Sequence, residues 1–159
     1  MKIAFANDHA ATSIRMDLLD AIKSAGHDVI DCGTDSESSV DYPDMAGAAI
    51  AEFLAGRADR VVLVCGSGVG MSIAANRHPE VRCVLAVDPW TARMARAHND
   101  ANCLALRARE QSPEVNRAIL AEFLSGTFEG GRHERRVAKL SSCQLSSPTH
   151  SSQPEVSCS

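Results

Sequence analysis

Cys65 ends an apolar run and opens Cys65-Gly66-Ser67-Gly68-Val69-Gly70, which holds three glycines in five consecutive positions. Closely spaced glycines let successive backbone N–H groups point into one concavity, which can hold a phosphate or a developing oxyanion. A thiol where such a turn enters a helix can serve as a thiolate base or nucleophile near neutral pH. A plainer reading fits the same residues: a turn needed only for tight strand-to-helix packing, and a buried cysteine acting as a small hydrophobe. Spacing does not choose between them. It does exclude nucleotide loops, because Gly70 is followed by Met71-Ser72 rather than by Lys and a hydroxyl residue. A dinucleotide fingerprint would belong after the first strand, where there is no glycine.

Three further groups could do chemistry. Asp8 and His9 follow the first apolar run and suit acid–base work or the binding of substrate hydroxyls; their alternative is a helix N-cap with a neighbouring histidine. His98-Asn99-Asp100 ends a helical pattern, where a histidine can serve the helix dipole or act as an acid–base group on a sugar ring. Arg132 and Arg136, in Gly130-Gly131-Arg132-His133-Glu134-Arg135-Arg136, are four apart. On one helix face they would grip a phosphate with two charge-assisted forks, or form a solvated basic surface.

The elements that must position these groups alternate. Five β-leaning runs, Lys2–Ala6, Asp28–Cys32, Arg60–Cys65, Arg82–Val87 and Asn102–Leu106, are separated by helical patterns. Ile14, Leu18, Leu19 and Ile22 share one helix face, closed by Gly26. Helices are also expected over Pro43–Leu54, Gly70–Asn76, Pro89–His98 and Pro113–Leu124, the last with Ser112 as N-cap, and from about Arg132 to Leu140. Such alternation implies right-handed βαβ units and a three-layer αβα sandwich, a Rossmann-like doubly wound parallel sheet of order 2-1-3-4-5. The continuously apolar runs 61–64 and 83–87 are expected to be strands buried on both faces. In such a sheet ligands sit beyond the strand carboxyl ends, where the order reverses, here between strands 1 and 3. Asp8 and His9 are thereby brought beside Cys65, more than fifty positions away.

Length and composition set the class. The 159 residues, 45% hydrophobic and 23% charged, suit one domain over residues 1–140. The net charge of −4 argues against a general nucleic-acid surface. No run approaches the about 18 apolar residues of a membrane span, and the N-terminus turns polar too early for a signal peptide, so a cytoplasmic location is expected. The six cysteines (32, 65, 83, 103, 143 and 158) show neither a metal-ligand spacing nor a disulfide framework. Residues 141–159 hold eight serines and two prolines, the composition of a disordered tail.

The motifs together resemble the ribose-5-phosphate isomerase B / galactose-6-phosphate isomerase family. They are Asn7-Asp8-His9, Asp41-Tyr42-Pro43, Cys65–Gly70 with Ser72-Ile73-Ala74-Ala75-Asn76, His98-Asn99, and Gly130-Gly131-Arg132-His133 with Arg136. The likeness spans about residues 1–140 in register. It implies aldose–ketose isomerisation of a small sugar phosphate through a cis-enediolate, without metal or other cofactor. It also implies homodimers or tetramers whose sites are shared between subunits. Cys65 resembles the base that moves the proton between C1 and C2. Gly66, Ser67, Gly68 and Gly70 resemble the oxyanion nest, His98 the ring-opening residue from a neighbouring subunit, and Asp8 its partner at the hydroxyls. Tyr42 and Asn99 resemble substrate-lining residues, and His9, Arg109, Arg132 and Arg136 the phosphate ligands. A second branch of the family takes its base from a glutamate at the position of Met71, so only the thiol is available here. Arg107 departs from the pattern, which usually has glycine there. Ribose 5-phosphate is the expected substrate. The alternatives are allose or galactose 6-phosphate, or a phosphosugar-binding module without catalysis.

Overall fold

The computed structural model describes residues 1–141. Along them run β1 (Lys2–Asn7), α1 (Thr12–Ser24), β2 (Asp28–Asp31), α2 (Tyr42–Leu54), β3 (Arg60–Cys65) and α3 (Val69–Ala75). The order continues with β4 (Cys83–Leu85), α4 (Pro89–Asn99), β5 (Cys103–Arg107), α5 (Pro113–Ser125) and α6 (Glu134–Ser141). Short 3-10 turns, His9–Ala11 and Gly131–His133, precede α1 and α6. Of the serine-rich segment expected to be a disordered tail, Ser141 closes α6 and the remainder lies outside the described residues. Cys32, Cys65, Cys83 and Cys103 are free thiols. Among the described residues no helix is long and apolar enough to cross a membrane.

The helices form where caps and periodicity meet. Ile14, Leu18, Leu19 and Ile22 are the buried residues of α1, and Gly26 ends it with φ +79. Asp88 caps α4 by accepting from the Thr91 N–H at 2.8 Å, and Pro89 fills the first turn, where its missing N–H costs nothing. Ser112 caps α5, its hydroxyl accepting from the Val115 N–H.

All five strands pair in parallel. Alternate side chains go to opposite faces. Ile3, Phe5, Val62, Val64, Leu104 and Leu106 form one core with α1, α4 and α5, while Ala4, Ala6, Val61, Leu63, Cys65 and Cys103 form the other with α2 and α3. The αβα sandwich is as expected, but the strand order is 2-1-3-5-4 rather than 2-1-3-4-5. β5 takes the slot beside β3, and β4 becomes a three-residue edge whose side chains are only half-buried. The run 83–87 is therefore not a strand buried on both faces. Asn102 links β5 to its neighbours at the amino end of the sheet. Its backbone carbonyl accepts from Val61 N–H at 3.0 Å, its side-chain oxygen accepts from Arg82 N–H, and its amide donates to the Glu80 carbonyl, both at 2.8 Å. These bonds clasp the start of β5 between β3 and the approach to β4. Asn102 itself is buried, so leaving its side-chain amide unpaired would cost about 1–3 kcal/mol.

The two positions make a like-for-like test. Leu104 in β5 is fully buried, whereas Leu85 in β4 is half-buried. Chemical denaturation should show Leu104→Ala losing about 2–5 kcal/mol and Leu85→Ala distinctly less. Equal losses would contradict the central placing of β5.

Candidate active site

The carboxyl ends of β1, β3 and β5 surround a cavity of about 610 Å³, within the range of small-molecule sites. Asp8, His9, Tyr42, Cys65, Gly66, Ser67, Gly70 and Arg109 all line it, so eight of the expected site residues meet there. Arg107, Glu110, Leu85 and Val87 complete much of the wall.

Cys65 is the last residue of β3 and only 5% exposed. Its Sγ accepts the backbone N–H of Gly68 at 3.1 Å, which fixes the sulfur at the mouth of the glycine turn. Gly68 itself does not line the cavity. It holds φ +75, and a Cβ there would come within 2.5 Å of Leu85 Cδ1 and 3.0 Å of the Leu106 carbonyl. Only glycine therefore lets the turn close over β5. At Gly70 a Cβ would sit 2.6 Å from the Tyr42 ring, so its absence lets that ring lie against the start of α3. Ser67 is exposed at the apex, with its hydroxyl accepting from Val69 N–H at 3.3 Å.

Asp8 follows β1 and is nearly buried. One carboxylate oxygen caps the 3-10 turn by accepting from the Ala10 N–H at 3.0 Å. The cap and the site residue are thus the same side chain. His9 Nδ1 accepts the Val40 N–H at 3.2 Å, so the neutral ring carries its proton on Nε2 and offers a donor. The loop holding Val40 is tied to β1 by Asn7, whose amide donates to the Thr34 carbonyl at 2.8 Å. Neither Asn7 nor Val40 is a residue whose type announces such a role.

The strand order brings in the end of β5. Arg107 is the register partner of Cys65, and Ala108 and Arg109 N–H donate to the Cys65 and Gly66 carbonyls at 2.9 and 3.0 Å. The Arg109 side chain lies over Gly66, about 3.5 Å from where a Cβ would stand.

His98, Asn99, Arg132 and Arg136 do not line this cavity. Helix α4 runs back from the carboxyl ends of the strands, so its last turn, with His98 and Asn99, reaches the amino end of the sheet. Exposed Asn99 lines a separate cavity of about 400 Å³ there with Arg82 and Cys83. Arg132 and Arg136 do not share one helix face. Gly130 and Gly131 both take positive φ, Arg132 lies in the 3-10 turn, and α6 starts only at Glu134.

The His98 ring stacks on that of His133, with centroids 4.4 Å apart and planes 2° from parallel. Glu129 Oε2 stands 3.7 Å from His98 Nε2 and 4.0 Å from His133 Nε2. Spacing in the sequence gave no sign of this group, because a backbone bond from Glu129 N–H to the Ala97 carbonyl brings it together. The three donors lie within 4.8 Å of one another, close enough for a metal ion. However, an imidazole binds a metal in its own plane, and two parallel stacked rings share no such point. His133 Nε2 instead accepts from Arg132 Nε at 3.4 Å, with the Glu129 carboxylate standing beside the stack.

A family model described as Ribose/Galactose Isomerase matches residues 3–140. The chain is 36% identical over 143 residues to ribose-5-phosphate isomerase B of Escherichia coli, covering 90% of this chain and 96% of that one. Among solved structures it is similar to a ribose 5-phosphate isomerase of Thermotoga maritima, with TM-score 0.85 and 46% identity over 89% of this chain and 97% of that one. The type B ribose 5-phosphate isomerase of Trypanosoma brucei gives TM-score 0.87 at 40% identity, over 90% and 98%.

Burial, then the facing His98 and the arginines 132 and 136, hold His133 below its ordinary value of 6.5, against a smaller pull from Glu129. With the folded value depressed, the unfolded chain takes up that proton first. The contribution of His133 to stability is therefore complete above pH 6.5 and is lost as pH falls below it. Unfolding followed against pH should show a shallower decline below pH 6.5 in His133→Gln than in the parent chain. Parallel curves would contradict the assignment.

Proposed function

We propose that this chain, which belongs to the ribose/galactose isomerase family, interconverts ribose 5-phosphate and ribulose 5-phosphate. Its kinship with ribose-5-phosphate isomerase B makes it a sugar phosphate isomerase; the five-carbon substrate is our reading. The observation that carries it is the Cys65 sulfur, held by Gly68 N–H in a cavity that also contains Asp8 and His9.

Aldose–ketose isomerisation needs a base, a group to polarise the carbonyl and a place for negative charge. In the proposed reaction the Cys65 thiolate takes the proton from C2 of the open-chain aldose. The C1 carbonyl oxygen becomes an oxyanion and rests against the turn Gly66–Gly70 and the Ser67 hydroxyl. The thiol then returns its proton to C1, while the O2 proton passes to O1 and C2 becomes the ketone. Asp8, with one carboxylate oxygen engaged by Ala10, handles the sugar hydroxyls, and Tyr42 forms a wall of the pocket. His9 Nε2–H and Arg109 face the phosphate.

His98 is proposed to open the sugar ring from a second copy of the chain, with Arg132 and Arg136 of that copy completing the phosphate grip and Asn99 the lining. Two observations support this. His98 lies at the opposite end of its own sheet from Cys65. The rim of the cavity also exposes apolar side chains suited to a subunit contact, with Tyr42 41%, Val69 47%, Val87 44% and Trp90 62% accessible. A homodimer, or a tetramer of such dimers, working in the cytoplasm completes the proposal.

Two measurements test it. Cys65→Ala should lower kcat at least about a hundredfold while substrate binding is largely retained. A variant that kept most of its kcat would remove Cys65 as the base. A kcat/KM profile should favour ribose 5-phosphate over allose and galactose 6-phosphates. A clear six-carbon preference would overturn the substrate, and no C2-proton exchange with deuterated water would point to a binding module.

A further inference from the structure

Arg107 occupies the wall of the cavity beside Cys65, its register partner on β3. Its surroundings hold it in place. Arg107 Nε donates to Gln111 Oε1 at 2.7 Å, and Gln111 Nε2 donates to Asn116 Oδ1 at 2.5 Å. The Asn116 amide returns to the Arg107 backbone carbonyl at 3.0 Å. These three residues close a ring of hydrogen bonds, anchored on Asn116, which is fully buried in the first turn of α5.

The ring uses Nε and leaves both terminal guanidinium nitrogens without a protein partner among the described residues. Neither Arg107 nor Arg109 has a carboxylate within ion-pair distance there, although Asp8 and Glu110 line the same cavity. Six other arginines form ion pairs among the described residues, whereas the side-chain partner of Arg107 is the neutral amide of Gln111. A guanidinium held by one nitrogen in the wall of a cavity, with its two outer nitrogens unengaged, has the forked donor that matches a phosphate.

We propose that Arg107 is a specificity-determining residue that binds the substrate's phosphate from the same chain that carries Cys65, with Gln111 and Asn116 as its positioning residues. The proposal rests on reading the cavity as a sugar phosphate site. It goes further in giving that site a second cation of its own beside Arg109, independent of what a second copy supplies. A grip on the non-reacting phosphate is made alike in ground and transition states, so its loss should raise KM and leave kcat alone.

The test compares the full-length parent with Arg107→Met, Arg107→Lys and Gln111→Ala. Inorganic phosphate binding is measured by calorimetry, and KM and kcat with ribose 5-phosphate. Arg107→Met should weaken phosphate binding and raise KM roughly tenfold or more, with kcat within about twofold. Lysine at 107 should recover part of the loss, and Gln111→Ala should shift both quantities the same way but less. Unchanged phosphate affinity in Arg107→Met would overturn the proposal. So would a fall in kcat at constant KM, which would place the guanidinium on the reacting atoms. Arg107-dependent phosphate binding by a parent chain that isomerises no sugar phosphate would sustain this inference and sink the isomerase reading instead.

Discussion

Parallel strand pairing is the constraint on which the rest of the structure depends. Five strands bonded in one direction put every carboxyl end on one rim of the sheet and oblige each helix to return to the other. Asp8, His9, Cys65 and Arg109 meet because each follows a strand end on that rim. His98 is kept from them for the same reason: eleven residues of α4 carry the chain back by about 16 Å. Cys65 and His98 therefore stand at opposite ends of one chain's sheet. The proposed association of two copies answers that geometry, since an antiparallel neighbour would set the His98 end of one chain against the Cys65 end of the other.

The order of the strands decides which residues share that rim. Asn102 holds the start of β5 against β3 and the approach to β4, and the end of β5 rather than β4 lies beside Cys65. Arg107 and Arg109 thereby become neighbours of the thiol. The cores on the two faces supply most of the stability, with fully buried side chains such as Phe5, Leu104, Ile119 and Phe123 contributing about 1.5–3 kcal/mol each. That apolar packing does not itself choose between the two strand orders.

Much of this was legible in the residues. The faces of α1, the cap Ser112, and the switch point between β1 and β3 follow from local periodicity, cap chemistry and the alternation of elements. What was not legible depended on contacts between residues distant in the chain. Two apolar runs could take the slot beside β3, and no local feature of either assigns it. The stack of His98 on His133 depends on a backbone tie from Glu129 to Ala97 that no spacing announces. Arg132 and Arg136 read as one helix face because a four-residue interval suits a helix. Two left-handed glycines start that helix two residues later. Arg107 stood out in the pattern, but its purpose needed the ring through Gln111 and Asn116.

The central claim is that the Cys65 end of one chain works with the His98 end of another, and complementation tests it most directly. Cys65→Ala and His98→Asn chains, each inactive alone, would be co-expressed and purified as mixed assemblies. If the site is shared, each mixed pair contains one intact site and one doubly altered site. Each purified mixed pair should then show about half of the parent activity. Mixed assemblies with no more activity than either variant alone would show that the two residues serve within one chain or not together, and would contradict the account.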